Sequence, residues 1–302
     1  MDNIKKIKSY FDEKINFYKE QLKDLEFNSE KNLIITQFIY KDIINCDYRL
    51  LEIFCDLHLN FHFNTNIIIF TNISDLENKL QFKSNRIIFI HVIPFDYKFM
   101  DTKVILNFLI MDKAKGQMLF FFDFDLIPLN PYLGRLETNN VAVTFNHEWE
   151  KIPKFPINAG FLVINSKKKT NINRFNYQYL SSYFFILVNQ KIIRNKTNLI
   201  SDKYDFSEWW GDQFAFIKLF DGLKIPIFDQ KLELSHNDIN YQFFNERNYN
   251  YQPYKLKNYI EGDERIRLFI ERLRYTTIFI HLTGKRKIHK EKIYECIKNN
   301  LI

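Results

Sequence analysis

Short apolar runs alternating with segments of helical periodicity predict an α/β protein, a Rossmann-like and mostly parallel sheet with helices on both faces. Three observations carry that prediction. Met118 to Leu129 reads MLFFFDFDLIPL, five apolar residues ending in two carboxylates, as a strand covered on both faces does where it leaves its sheet. Similar runs lie upstream at residues 32–38, 66–71 and 86–93, with helix-like stretches at 43–57 and 102–113 between them. The 302 residues, 46% of them hydrophobic, suffice for one large core or a core with a small subdomain.

Ahead of the first strand, Ile4, Ile7, Phe11, Ile15, Tyr18, Leu22 and Leu25 recur every three or four residues, so residues 1–27 read as an amphipathic helix. Its charges balance, which favours packing against the main domain or a second copy, a homo-oligomer contact, over electrostatic membrane anchoring. Downstream of the two carboxylates, residues 141–145 and 159–165, the latter within NAGFLVINS, read as strands. Between them, residues 147–156 form a loop with Trp149 and two prolines. WWGDQFAFIKLF (209–220) turns from aromatic and polar residues into a helix, and residues 277–282 form a strand carrying His281. The Tyr- and Asn-rich stretch 240–258 reads as irregular surface. The division expected is an N-terminal helix at 1–30, one catalytic-type domain at 31–290 and a basic helix or tail at 291–302.

Composition narrows the class. The abundance of Phe (32) and Tyr (17) beside only 7 Gly reflects a biased genome, and no mechanism rests on it. Cys46, Cys55 and Cys296 have neither a metal-ligand spacing nor an even framework and read as free thiols in a reducing compartment. No window approaches the ~18 apolar residues needed to cross a bilayer, and the N-terminus has no uninterrupted apolar core of a leader, so the expected location is cytoplasmic or peripheral to a membrane. From His281 onward six Lys or Arg face two Glu within a chain of net charge +7. Such a tail attracts phosphate, anionic lipid or nucleic acid, or simply solvates a helix face. Because the basic residues gather at one end and are not interleaved with aromatics along a platform, nucleic acid is disfavoured.

The chemistry is concentrated at Asp123 and Asp125. Residues i and i+2 of an extended chain point to one side, so both carboxylates can face a single divalent cation, with the remaining ligands left to phosphate and water. Acidic residues also follow buried strands merely to solvate a turn.

Taken in order, FFFDFDLIP, NAGFLVINS, GDQFAF and HLTGKRK resemble the signature segments of nucleotide-sugar glycosyltransferases of the GT-A fold. They are most similar to the retaining family eight, glycogenin-like and lipopolysaccharide-galactosyltransferase-like, over most of residues 32–288. The resemblance implies that Asp123 meets metal and ribose, that Asp125 ligates the metal more fully, and that His281, first residue of an H-x-x-G-x-x-K segment, is the third ligand of Mn²⁺ or Mg²⁺. Lys287 would meet the diphosphate, with Gly284 allowing close backbone approach. Asn158, Ala159 and Gly160 match the segment that holds donor-sugar hydroxyls. Asp212 would bind the same sugar, and Gln213 would lie near the reacting carbon. Thr36, Gln37 and Tyr40, at the end of the first strand, fall where base and ribose are cradled, although the usual Asp or Asn there is missing. Lys103 is the nearest match to a basic residue on the helix before the D-x-D. Ile288 and His289 replace the usual Pro-Trp after the lysine.

The activity implied is transfer of a hexose, UDP-linked in the first instance, to a hydroxyl of a glycan or glycolipid acceptor such as a growing surface polysaccharide, with acceptor contacts expected in the loop around Trp149 and the Tyr-rich segment 240–254 because sugars stack on aromatic faces. Retention by a front-face route needs no covalent carboxylate. An inverting enzyme would need a base, for which Asp212, Glu208 and His147 are candidates. Two rivals remain open: a haloacid-dehalogenase-like phosphatase using the D-x-D, and a non-catalytic binding module on the same fold.

Overall fold

In the computed structural model the chain runs α1 (Asp2–Gln21), β1 (Asn32–Phe38), α2 (Tyr48–Phe61), β2 (Thr65–Thr71), α3 (Leu76–Lys79), β3 (Ile87–His91), α4 (Phe99–Lys113), β4 (Met118–Phe122) and β5 (Leu126–Pro128). It continues through α5 (Leu133–Leu136), β6 (Val141–Phe145), β7 (Ile157–Asn165), α6 (Lys169–Lys196), α7 (Gly211–Leu219), β8 (Lys231–His236) and β9 (Ile239–Asn245). It closes with α8 (Glu246–Tyr249), α9 (Arg265–Leu273), β10 (Phe279–His281), a 3-10 turn at Gly284–His289 and α10 (Lys290–Lys298). The structure describes residues 2–27, 31–42, 46–114, 116–138, 141–146, 157–167, 169–196, 205–208, 210–253, 256 and 264–299. His147, Trp149, Trp209 and Tyr254 lie outside them.

Eight strands form one sheet in the order β3-β2-β1-β4-β7-β6-β9-β8. β1 to β4 are mutually parallel, whereas β7 runs against β4 and β6, and β8 against β9. The sheet is therefore mixed, mostly parallel in its first half. The strand order reverses between β1 and β4, and such switch points open a crevice beyond the carboxyl ends of the strands.

The unbroken apolar run of β4 follows from coverage on both faces. Leu119 and Phe121 join one core, with α1, α4, α6 and α7, while Phe120 and Phe122 join the other, with α2, α9, α10, β5 and β10. α4 begins three residues earlier than its periodicity predicted. The start of α2 is fixed by Asp47, whose side chain accepts from Leu50 N at 3.1 Å. Of the stretch 240–258 expected to be irregular surface, residues 240–245 belong to β9, with Tyr241, Phe243 and Phe244 buried against β6, and residues 246–249 form α8. Its asparagines are turn-favouring residues, but Tyr and Phe favour strands, and here the aromatic residues decide. α6 escaped prediction altogether, although Ile172, Phe175, Tyr179, Tyr183 and Ile186 bury one helical face.

α1 packs on this chain's own α4 and α6 through Phe11, Tyr18 and Leu22. At its centre Lys14 Nζ, with no exposed side-chain surface, lies 2.5 Å from Asp96 Oδ1 and 3.5 Å from Asp101 Oδ2. Tyr183 donates to Asp101 Oδ1 at 2.6 Å, and Tyr10 donates to Asp96. Burial raises the Asp101 carboxyl to about 6 despite Lys14 and Tyr183. Among the described residues no helix is long and apolar enough to cross a membrane.

β5 pairs antiparallel with β10 as a separate two-stranded sheet, in the register Leu126↔His281, Ile127↔Ile280, Pro128↔Phe279. His58 braces it from α2. A backbone carbonyl can only accept, so His58 Nε2–H donates to Leu126 O at 3.3 Å and Nδ1 accepts from the Tyr132 hydroxyl. Burial lowers His58 to about 3 and His62 to about 4.

These buried groups set how stability responds to pH and to loss of Lys14. The unfolded chain protonates both histidines near pH 6.5 but the folded chain does so only near 4 and 3, so their contribution to stability is lost as pH falls below 6.5. Asp101 works the other way between about 4 and 6, yet one carboxyl against two imidazoles leaves a net loss. Urea unfolding should show a decrease on the order of 2 kcal/mol between pH 7 and pH 5; a flat profile would contradict the neutral burial of His58 and His62. Lys14→Ala should cost about 3 kcal/mol, because it strands the buried Asp101 carboxylate beside the half-buried Asp96. Lys23→Ala, which removes only an exposed pair with Glu20, should leave the urea midpoint unchanged.

Candidate active site

The carboxyl end of β4 delivers Asp123 and Asp125 to the crevice, and the β5–β10 register delivers His281 to the same place. Leu282 N donates to Asp125 O at 2.9 Å, continuing the pairing past the strand. One ligand atom from each of Asp123, Asp125 and His281 lies within 4.8 Å of the others. Two carboxylate oxygens and an imidazole form a donor set suited to Mn²⁺ or Mg²⁺, with positions left for phosphate and water.

Two lysines flank the acids. Lys103 Nζ lies 2.9 Å from Asp123 Oδ1, 2.9 Å from Asp212 Oδ2 and 3.3 Å from Ala159 O. Burial works against its charge, but the two carboxylates outweigh burial and hold its pKa above the usual lysine range. Lys287 Nζ lies 3.3 Å from Asp125 Oδ2 and 4.9 Å from the centre of the Phe124 ring. Burial alone would raise the Asp125 carboxyl; His281 and Lys287 instead hold it well below the usual carboxylate range.

Asn158 sets the histidine. Its Oδ1 accepts from Gly160 N at 2.9 Å, which fixes the amide so that Nδ2 donates to His281 Nδ1 at 3.1 Å. His281 Nε2 then carries the proton toward Asp125 Oδ1, 2.9 Å away. Gly160 has no room for a side chain: a Cβ would stand 2.6 Å from Asp123 Oδ2 and 3.0 Å from His281 Cε1.

Two cavities meet at this cluster, sharing Met100, Lys103, Asp123 and Asp125. The smaller, about 190 Å³, extends to Gln37, Ile39, Phe99 and Phe124. The larger, about 670 Å³, extends past Asn158, Asp212, Gln213, His281, Gly284 and Lys287. Asp212, in the first turn of α7, is oriented by Gln213 N on Oδ1 at 2.8 Å and by Lys103 on Oδ2.

The structure thus brings together Lys103, Asp123, Asp125, Asn158, Asp212, Gln213, His281, Gly284 and Lys287. Ala159 contributes its carbonyl and Gly160 its lack of a side chain. Gly284 is needed for its backbone, φ +58, since a Cβ there would meet nothing within 4 Å. Thr36 is buried in β1 opposite Ile69 and lines neither cavity, its place on the wall being taken by Gln37 and Ile39. Tyr40 stands behind the wall, its ring against Phe38 and Phe124 and its backbone bonded to Asn72. Glu208 lines neither cavity. Sequence reasoning missed Trp210, Glu246, Gln252 and Thr283, all on the larger wall. The placement of Trp210 two residues before Asp212 offered one signal, and the Tyr-rich segment 240–254, singled out for acceptor contacts, holds Glu246 and Gln252.

Along the tail, Lys290 pairs with Asp47, Lys292 with Glu264 and Lys298 with Asp56. Much of its charge is thus spent on this chain's own carboxylates.

No protein-family model matches the chain, and no curated protein does. Among solved structures, the glycosyltransferase GlyE of Streptococcus pneumoniae TIGR4 is similar at 15% identity and a TM-score of 0.46, over 89% of this chain and 62% of that one. Its apo form is similar at 15% identity and a TM-score of 0.47, over the same 89% and 62%. A glycosyltransferase involved in the glycosylation of the major capsid of PBCV-1 is similar at 10% identity and a TM-score of 0.41, over 87% of this chain and 98% of that one. The chain spans about 62% of the length of the GlyE chain, and its resemblance to family eight rests on the motifs alone.

Proposed function

We propose that this protein is a glycosyltransferase that uses Mn²⁺ or Mg²⁺ to move a hexose from a nucleoside diphosphate sugar, UDP-linked, to a hydroxyl of a glycan or glycolipid. One observation carries the reading: a cluster of Asp123, Asp125 and His281, flanked by Lys103 and Lys287, stands where a small cavity meets a large one. A nucleoside on the small side and a sugar on the large side would place the diphosphate over the cluster.

Asp123, Asp125 and His281 would hold the cation, which when bound supplies positive charge to the diphosphate. As the glycosidic carbon–oxygen bond breaks, its electron pair passes to the phosphate oxygen, and Lys287, within reach of that site, stabilises the charge by leaving Asp125 for the phosphate. Asp212, held on both oxygens, accepts hydroxyls of the donor sugar, and Gln213 lies beside it on the cavity wall. Since Asp212 is already engaged by Lys103, it is ill placed to collect the acceptor's proton. This favours the retaining route, in which that proton goes to the departing phosphate.

Calorimetric titration of UDP should give binding with Mn²⁺ that falls by at least roughly 100-fold with EDTA or in Asp125→Ala. Binding indifferent to both would overturn the cation-dependent reading, and failure of UDP, GDP, CDP and dTDP alike would overturn the transferase. Lys287→Ala should weaken UDP by about 1.5–3 kcal/mol. Gly160→Ala should retain the fold by circular dichroism yet lose metal-dependent UDP binding, because the added methyl displaces Asp123.

A further inference from the structure

The first turn of α4 walls the smaller cavity with Phe99, Met100, Thr102 and Lys103, yet little in its own sequence fixes it. Lys98, at the N-cap position, makes no side-chain cap, so the free amides of the turn find partners outside the helix: Met100 N and Asp101 N donate to Ser207 O at 2.9 and 3.3 Å. The other hold comes from α1. Tyr10, Lys14, Tyr18 and Gln21 follow one another at spacings of four, four and three, so their side chains leave the helix on one face. All four polar ends meet one segment, residues 93–102, which leads from β3 into the first turn of α4.

Gln21 exchanges two hydrogen bonds with the backbone of Ile93, its Oε1 accepting from N at 2.7 Å and its Nε2 donating to O at 3.1 Å. The buried Tyr18 hydroxyl accepts from Phe95 N at 3.1 Å. The single hydrogen of Thr102 Oγ1 goes to Lys98 O at 3.3 Å, so Tyr18 donates its own to Thr102 Oγ1 at 3.1 Å. Thr102 thus has the cavity on one side and α1 on the other. Lys14 reaches Asp96, Asp101 and, at 3.5 Å, Lys98 O, while Tyr10 donates to Asp96. The Phe95 ring meets Tyr10 and Phe17 edge-on, at centre distances of 5.8 and 5.3 Å. Packing of Phe11 on Tyr183 and Phe184 already attaches α1 to the domain without fixing a register. Hydrogen bonds are directional, and these set the position of the segment.

Resting on the transferase reading above, we infer that α1 positions the nucleoside wall: through Tyr18 and Gln21 it holds residues 93–102 so that Phe99 and Thr102 stand where base and ribose would pack. Tyr18 and Gln21 are positioning residues and touch no ligand. The cation cluster does not depend on them, since the end of β4 and the β5–β10 register place Asp123, Asp125 and His281. Lys103, next to Thr102, is held independently by Asp123 and Asp212. Loss of either α1 contact therefore loosens the small cavity and leaves the diphosphate end in place.

The test is calorimetric titration of the full chain with UDP and with inorganic pyrophosphate, each with Mn²⁺, beside hydrogen exchange of the backbone amides. Tyr18→Phe, which removes one hydroxyl and keeps the buried ring, and Gln21→Ala, at the end of α1, should each weaken UDP by about three- to tenfold, leave pyrophosphate within about twofold, and speed exchange at residues 93–103. Arg86→Ala, which removes bonds to Leu59 O, His62 O and Phe63 O at the amino end of β3, should lower the urea midpoint and change neither ligand. An equal loss of UDP affinity in Arg86→Ala would reduce the part of α1 to general stability and overturn the inference. UDP affinity unchanged in both α1 variants, or UDP and pyrophosphate weakened alike, would overturn it too. Failure of UDP to bind the unaltered chain would instead strike the transferase reading, and the exchange measurement would still decide the hold of α1: unaltered exchange at 93–103 in both variants overturns it.

Discussion

The pairing of β5 with β10 is the constraint on which the site depends. Asp125 and His281 are 156 residues apart in sequence, and nothing local obliges them to meet. They meet because Leu126 and His281 are register partners and the pairing extends to Asp125 O. A slip of one residue would send His281 to the opposite face. The short sheet is too small to hold this register alone. His58 therefore bonds Leu126 O from α2, and Leu129 N bonds Ile278 O at 2.7 Å. Beyond the strand, α10 is tied back to α2 by Lys290–Asp47, Lys298–Asp56 and the two-pronged Arg49–Glu291 pair, with nitrogen–oxygen distances of 2.8 and 3.0 Å. The basic tail is, in this light, first a clamp on the segment that carries His281 and Lys287.

The second constraint is electrostatic. Asp123, Asp125 and Asp212 crowd one crevice, and like charges this close are costly in a partly buried setting. Lys103 spans two of them and Lys287 answers the third. This makes Lys103 more than a basic residue on a neighbouring helix: it ties Asp123, at the end of β4, to Asp212, in the first turn of α7. The same lysines that neutralise the acids carry the donors a diphosphate would seek, so binding at the site is an exchange of partners more than the filling of a void.

How legible all this was depended on range. β4 was plain, because coverage on both faces leaves an unbroken apolar run and the emerging carboxylates mark its end. β1, β2 and β6 were plain for the same reason. The order FFFDFD, NAG, GDQ, H-x-x-G-x-x-K was readable as motifs, and the structure brings most of their polar residues to one crevice. What could not be read was the geometry between them. Lys103 lay on a helix whose start was misjudged by three residues, and its register toward Asp123 and Asp212 exists only in the folded chain. β9 was hidden by its asparagines, and Glu246 beyond it had no motif to announce it. Of Thr36, Gln37 and Tyr40, all placed at the end of the first strand, only Gln37 lines the crevice, because alternation along a strand says which residues share a face but not which face looks into the crevice.

Crystals grown with Mn²⁺ and UDP, with diffraction recorded at the manganese absorption edge, test the central claim most directly. The account predicts one anomalous peak bounded by Asp123, Asp125 and His281, with Lys287 moved from Asp125 to the diphosphate. UDP bound in the crevice with no manganese at that cluster, or with Lys287 still on Asp125, would contradict it.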